Sequence, residues 1–293
     1  MKKIFKLSLI ALSLATTSVN LSANDNVQAS TSDITQLQQI RNATIKITYA
    51  DTTFLIDPML AEKGFYEGFP DTHRSYLRNP LVDLPMSTNE LLSDVDAVIV
   101  THTHLDHWDD AAQQAIPKNT PIFVQNDTDK KMLESQGFKD VRILSETEFN
   151  HIKLTKTGGQ HGTDQMYSIP ELNASLGETM GIVFESEGHE TIYVAGDTIW
   201  RPEVEATIKA FNPDVIVLNT GKALLDGFDE SIIMGQEDTY RAVQQAPNAK
   251  IVATHMDAIN HMSLTRAELA EYTRKMKIED KVLIPLDGET LSF

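Results

Sequence analysis

The 293-residue sequence contains no cysteine. That absence excludes a disulfide framework, so the core must hold the fold unaided. It also excludes a lipid-modified N-terminal cysteine and confines any metal site to nitrogen and oxygen ligands. Positive charge is scarce: 25 Lys and Arg against 42 Asp and Glu leave a formal charge of −17. Such a chain repels nucleic-acid phosphates and anionic membrane surfaces, so neither is expected as a partner. Internal repeats and low-complexity tracts are missing as well.

What is present begins with Lys2, Lys3 and Lys6, an apolar stretch Leu7–Ala15, and a small and polar run Thr16–Ala23. This order is that of a cleavable secretory signal, and the apolar part is too short to span a bilayer, so stable membrane insertion is not expected. Residues 1–23 are read as the signal, with Ser18 and Ser22 as alternative cleavage points, and the expected location is the periplasm or the exterior. Removing them takes three lysines and no acid, which moves the formal charge to −20. Residues 24–36 are polar and aperiodic and are read as a tether. Residues 37–293 are long enough to bury a full core as one domain.

From there short β-rich runs alternate with amphipathic stretches, the pattern of an α/β chain. Strands are predicted at Thr44–Ala50, Thr53–Ile56, Ala97–Val100, Pro121–Val124, Asn150–Lys156, Gly181–Glu185, Thr191–Ala195, Val215–Leu218, Ile251–Ala253 and Lys281–Pro285. Helices are predicted at Thr128–Gln136, Pro202–Phe211, Glu237–Gln245 and Leu264–Met276, the last with a Thr265/Glu268 capping box. The stretch Met59–Met86 holds three prolines and several aromatics without periodicity, and loops of that length tend to carry function.

The buried-strand run Ala97–Val100 delivers the chain into Thr101-His102-Thr103-His104-Leu105-Asp106-His107. Four potential ligands within six residues, at a strand end, point to a metal site rather than to scattered surface histidines. Alternation sends His102 and His104 to one side, and a turn after Leu105 brings Asp106 and His107 to the same region. Imidazole and carboxylate together suit zinc, iron or manganese.

His102-x-His104-x-Asp106-His107 resembles the defining motif of the metallo-β-lactamase superfamily. Further landmarks follow in the family's order. They are Gly158-Gly159-Gln160-His161-Gly162-Thr163, Val194-Ala195-Gly196-Asp197-Thr198 and Ile251-Val252-Ala253-Thr254-His255, with Phe54-Leu55-Ile56-Asp57-Pro58 upstream. The resemblance runs from about Ile45 to the C-terminus. It looks closest to the branch of ascorbate-6-phosphate lactonase and N-acyl-phosphatidylethanolamine phospholipase D, and to bacterial members with a late His-Met-acid-Ala-x-Asn-His element.

The resemblance implies an αββα sandwich of two mixed β-sheets flanked by helices. It implies two divalent ions, zinc first with manganese or iron as alternatives. One would be held by His102, His104 and His161, the other by Asp106, His107 and His255, with Asp197 bridging and Asp57 bracing the loop. The implied activity is hydrolysis of a small ester, lactone or phosphodiester by a metal-bound hydroxide, with Asp106 and His261 as catalytic residues. Asp197 has a competing reading as a helix cap. His255 and His261 compete for the last ligand position, which His255 fits by following a strand directly; His261 then either grips substrate or donates a proton to the leaving group, or is an ordinary hydrogen-bonded loop histidine. Asp257 either orients a ligand histidine or is a solvated acid. Asn219, Thr220 and Gly221 either line the cleft or form a turn, and Phe65, Tyr66, Phe69 and Trp108 either wall it or pack inside. His73, His151 and His189 read as surface or structural residues. The competing functions are a periplasmic metal- or ligand-binding protein without turnover, a β-lactamase, and a nuclease that charge and export disfavour. A small-molecule substrate is the expected partner.

Overall fold

The computed structural model describes Met1 and residues 34–293; the signal segment beyond Met1 and tether residues 24–33 lie outside the described residues. The first sheet is built from β1 (Gln36–Arg41), β2 (Thr44–Tyr49), β3 (Thr52–Ile56), β4 (Ala97–Val100), β5 (Ile122–Val124) and β6 (Val141–Ile143). The second is built from β7 (Glu146–Phe149), β8 (Ile152–Gly158), β9 (Met180–Glu185), β10 (Ile192–Val194), β11 (Val215–Asn219), β12 (Lys250–Thr254) and β13 (Val282–Leu283). The last strand, β14 (Thr290–Ser292), returns to the first sheet outside β1. Both sheets are mixed: β1–β2–β3 is antiparallel and β3 to β6 parallel, while β7 to β10 is antiparallel and β10 to β13 parallel.

The apolar runs show why the layers form. In β4, Ala97 and Ile99 point into the space between the sheets, while Val98 and Val100 point outward. In β11, Val215 and Val217 point inward, and Ile216 and Leu218 outward. A strand apolar on both faces must be covered on both. The inner faces cover each other through Ile47, Phe54 and Phe123 on one side and Leu154, Phe184 and Val252 on the other. Helices cover the outer faces. α1 (Thr88–Leu92), α2 (Asp110–Ala115) and α3 (Asp127–Ser135) supply Leu91, Ala112 and Leu133 to the first sheet. α6 (Pro202–Phe211), α7 (Gln236–Gln245) and α8 (Arg266–Met276) supply Val204, Ala242 and Leu269 to the second. The two short helices α4 (Asp164–Tyr167) and α5 (Pro170–Leu176) stand beside the end of β8. The result is the αββα sandwich. Among the described residues no helix is long and apolar enough to cross a membrane.

All ten predicted strands and four predicted helices have counterparts, with ends shifted by a few residues. The strand predicted from Asn150 starts at Ile152, because Asn150 and His151 take positive φ (49° and 65°) in the turn after β7. Predicted Leu264–Met276 begins at Arg266, with Thr265 as N-cap and the capping box formed through Glu268. β1 starts at Gln36, the end of the stretch read as tether. Its polar sequence hides a buried strand in which Gln39 Nε2 donates to the Asn42 carbonyl and the two terminal Arg41 nitrogens donate to the carbonyls of Met59, Ala61 and Val82, while Gln39 Oε1 and Arg41 Nε are buried without a partner. The Met59–Met86 stretch forms no helix or strand and is pinned by such bonds instead, including Asp109 Oδ2 accepting from the Leu60 and Ala61 amides.

Candidate metal centre

The ligand residues gather where the C-terminal ends of β4, β8, β10 and β12 open toward one another. Each leaves its strand through a local device. The turn after β4 closes by the His107 and Trp108 amides bonding the His104 carbonyl. His161 follows β8 and precedes Thr163, whose hydroxyl caps α4. Asp197 follows Gly196, where φ is +69° and a Cβ would lie 2.4 Å from the Met180 carbonyl oxygen, so only glycine fits. His255 itself takes φ +62°, its amide held by the Asn42 carbonyl.

Three ligand groups form, in each of which the donor atoms lie within 4.8 Å of one another: His102, His104 and His161; His102, His107 and Asp197; and Asp106, His107 and His255. The seven residues named from the sequence as metal ligands are therefore together. His102 reaches both halves of the cluster. Asp197 Oδ2 lies 3.1 Å from His107 Nε2, 3.5 Å from His255 Nε2 and 3.6 Å from His161 Nε2, central among the three rings. Asp197 is not a helix cap, since α6 starts at Pro202 and its N-cap residue is Arg201, with no side-chain cap bond.

The outer nitrogens decide what the inner ones can do. His104 Nε2 faces the Ser175 carbonyl at 2.8 Å, His161 Nδ1 faces the Ile232 carbonyl at 2.9 Å, and His107 Nδ1 faces Asp57 Oδ2 at 2.8 Å. These oxygens only accept, so each outer nitrogen carries the hydrogen. Thr101 Oγ1 donates to Asp57, so it accepts from His102 Nδ1. In the neutral rings the inward nitrogens then bear lone pairs. His102 Nε2 and His104 Nδ1 face each other at 3.0 Å, two lone pairs that cannot bond each other. A cation between them resolves the conflict. The donor set therefore fits divalent metal, with no thiolate and with outer partners of the kind that orient metal-binding imidazoles.

Charge leads to the same place. Burial works to raise the Asp197 carboxyl, but His107 and His255, by charge and hydrogen bond, hold it well below the usual carboxylate range. Burial works to lower His107, yet Asp197, Asp106 and Asp57 around it hold it well above the usual imidazole range. Buried carboxylates gathered in this way call for a compensating positive charge, which a divalent ion held by the same residues would supply. Burial depresses His102, and it depresses His161 to about 4.

Other residues fall on one side or the other of the expectations. Asp57 braces the loop, accepting from the Thr101 amide and hydroxyl and from His107. Asn219 holds Asp197 Oδ1 at 2.6 Å and accepts from the Thr254 hydroxyl, which settles it as part of the centre. Gly221 passes so close to the His255 carbonyl that a Cβ would sit 2.2 Å from it. Asp257 orients no ligand histidine; it pairs with Arg266 at 3.2 Å. Trp108 packs on Phe138 beneath the first sheet and donates to Gln136, away from the cleft. Phe65 is exposed, Tyr66 packs beside the Met59 cluster, and Phe69 alone of the four aromatics lines the cleft. His73 and His151 are exposed. Asn42, which donates to the Asp106 carbonyl and holds His255, was not visible in the sequence: a lone Asn with φ +58° in a two-residue turn carries no motif.

The cleft beside the cluster has a volume of about 460 Å³. His104, Asp106, His161 and His261 form its floor, with Phe69, Leu172, Leu225 and Phe228 among its walls. His261 packs edge-on against Phe69, ring centres 5.2 Å apart, and its Nδ1 is buried without a partner. Burial depresses the ring to about 4.

A family profile described as Beta-lactamase superfamily domain matches residues 52–256, which include every one of these ligands. The chain belongs to the metallo-β-lactamase superfamily. Within it, the chain is 47% identical over 259 residues to the UPF0173 protein YddR of Bacillus subtilis, covering 88% of this chain and 99% of the relative. A UPF0173 metal-dependent hydrolase of Methanocaldococcus jannaschii is 26% identical over 221 residues, 74% of this chain and 91% of the relative. Among solved structures, a possible metal-dependent hydrolase from Veillonella parvula superposes with a TM-score of 0.88 at 51% identity, covering 89% of this chain and all of that one. The isothiocyanate hydrolase from Delia radicum gut bacteria superposes with a TM-score of 0.86 at 50% identity, covering 88% and 99%. This superfamily member is a metal-dependent hydrolase, and none of the relatives just named is described as an ascorbate-6-phosphate lactonase.

Proposed function

We propose that the chain hydrolyses small, neutral, apolar electrophiles, with isothiocyanates as the leading class, esters and lactones next, and phosphodiesters disfavoured. The observation that carries this reading is the cleft lining. Its walls are aliphatic and aromatic, its rim adds Asp71, Glu171 and Asp226, and none of the described residues lining it is Lys or Arg. An anionic phosphodiester would meet like charge there without a cationic side chain to hold it. A neutral molecule with an apolar tail would bury that tail. The solved relative described as an isothiocyanate hydrolase supports the same substrate class for this chain.

His102, His104 and His161 would hold one divalent ion and Asp106, His107 and His255 the second, with Asp197 between them; zinc suits the donor set, as do manganese and iron. Bound there, the ions supply an acidified water and polarise the substrate. In the reaction, water oxygen bonds the central carbon of R–N=C=S and a proton goes to nitrogen. The thiocarbamic acid so formed breaks its C–N bond to give the amine and carbonyl sulfide, which balances as one water consumed. Within the chain, Asp106 on the cleft floor holds the proton taken from water. His261, neutral at pH 7, donates a hydrogen bond from one ring nitrogen to the substrate heteroatom. Phe69 and Leu225 exclude bulk water. The acidic rim attracts the cationic amine product outward.

The test uses full-length protein loaded with zinc or manganese and assays benzyl isothiocyanate, phenyl acetate, a γ-lactone, a β-lactam and bis-p-nitrophenyl phosphate side by side. Turnover of the isothiocyanate, lost together with bound metal in His104→Ala and Asp197→Ala, is the expected result. Preference for the phosphodiester or the β-lactam would sink the reading. Residues 1–23 act in this view as an export signal, so cell fractionation should find the protein outside the cytoplasm with Asn24 as its first residue; cytoplasmic protein with an intact N-terminus would refute that part.

A further inference from the structure

The late His255-Met256-Asp257-Ala258-Ile259-Asn260-His261 element contains a residue that the chemistry above does not use. Asn260 is fully buried and lies next to His261 in sequence. Its side chain exhausts its hydrogen-bonding capacity on a single neighbouring segment. Oδ1 accepts from the Phe69 amide at 3.0 Å and from Asn79 Nδ2 at 2.7 Å. Nδ2 donates to Thr72 Oγ1 at 2.8 Å and to the His73 carbonyl at 2.9 Å. Its backbone joins in: the amide donates to Asn79 Oδ1 at 2.9 Å, and the carbonyl accepts from Arg74 Nε at 3.0 Å. Six bonds therefore tie one residue to positions 69–79, a segment that forms no helix or strand of its own.

The fully satisfied amide makes this a specific device. A buried polar node of this kind stabilises one arrangement only when every member is paired, and no other side chain of this length offers two donors and a two-lone-pair acceptor. What it fixes is the distance between Phe69, a cleft wall, and the loop that carries His255 and His261.

We propose that Asn260 is a positioning residue that sets substrate selectivity: it latches the Phe69 wall to the histidine-bearing loop, and so fixes the width of the apolar cleft. This rests on the substrate reading given above for its choice of substrates, though not for its structural readout. Asn260→Asp keeps the shape but replaces the two Nδ2 donors with an acceptor facing the His73 carbonyl, so the latch opens.

The experiment compares wild type, Asn260→Asp and Phe69→Ala as metal-loaded full-length proteins. The readouts are metal content, amide hydrogen exchange over residues 62–80, and KM and kcat for methyl and benzyl isothiocyanate. Opening the latch should raise KM for the benzyl substrate about tenfold, a loss within the range one apolar contact controls. The methyl substrate and kcat should move little, the metal should stay, and exchange at Phe69 should accelerate. Phe69→Ala should reproduce the selectivity change. Should Asn260→Asp fail to fold, Thr72→Val removes one partner of the node and should give a smaller shift of the same sign. Unchanged exchange at Phe69, or an equal loss on both substrates accompanied by metal loss, would overturn the latch. If wild type turns over neither isothiocyanate, the substrate reading fails, and the exchange result alone then decides the latch.

Discussion

At the scale of single residues, the centre is a set of hydrogen-bond decisions made one shell outside the ligands. Asp57 is the clearest. It takes three donors, two from Thr101 and one from His107. Asp57→Ala leaves all three buried without an acceptor and frees the His107 ring to turn. Metal affinity should fall by about 10- to 100-fold, the usual effect of removing such an orienting partner, and titration with a competing chelator would measure it. His261 makes the opposite prediction. As a substrate-facing donor, its removal in His261→Ala should lower kcat by about 10²-fold while metal content stays full; a parallel loss of metal would make it a ligand instead. The ligands themselves were legible because chemistry concentrates them: four in six residues after a buried strand, then one more at the end of each of three later strands. Their supports were less so. Asp57 showed through family resemblance, whereas Asn42, Thr101 and Asn260 act through backbone geometry or through contacts with residues far away in sequence. The carbonyls of Ser175 and Ile232, which set two tautomers, belong to no residue type at all.

At the scale of elements, apolar periodicity carried most of the architecture. Runs such as Ala97–Val100 and Val215–Leu218 demand cover on both faces, and a sandwich between helices provides it. Elements that escaped sequence reading had weak or contrary patterns. β1 is rich in glutamine and ends in a buried arginine, β7 (Glu146–Phe149) is half acidic, and α4 and α5 are too short for a helical period to register. Tertiary partners, rather than local preference, decide these segments. Where a local signal was explicit, it held. The Thr265 hydroxyl accepts from the Glu268 amide at 3.2 Å, and the Glu268 carboxylate accepts from the Thr265 amide at 2.9 Å. Thr265→Ala should therefore cost about 1 kcal/mol of stability, read from denaturant unfolding. Since α8 lies on the outer face of the second sheet, activity below the transition should be unchanged.

At the scale of the whole molecule, the centre joins the stability of both sheets to proton and metal concentration. Burial keeps His102 below its ordinary value and brings His161 and His261 to about 4. The unfolded chain protonates these rings near pH ~6.5 while the folded metal-free protein does not, so they favour folding above that pH and cease to as pH falls toward the folded values. His107, raised instead, gives its contribution in full below pH ~6.5 and loses it only as pH rises through its folded value, so it does not offset the acid loss. The metal-free protein should accordingly show a falling Tm from about pH 6.5 to 4. Metal adds to this at neutral pH: at a free ion concentration 100 times its Kd the folded state gains about 2.7 kcal/mol, which chelator should remove as a drop in Tm. A Tm indifferent to both pH and chelator would show that the buried cluster is not linked to folding.

The return of β14 to the first sheet has a consequence for how the molecule can be rebuilt. The Phe293 amide bonds the Thr35 carbonyl at 3.0 Å, so the end of the last strand and the start of the first lie side by side. A short Gly/Ser bridge from Phe293 to Thr35 would close the backbone into a ring with little strain. Reopening it at the exposed Glu187–Gly188 hairpin tip between β9 and β10 would yield a circular permutant in which His161 precedes the new break and Asp197 follows it, at opposite ends of the reordered polypeptide.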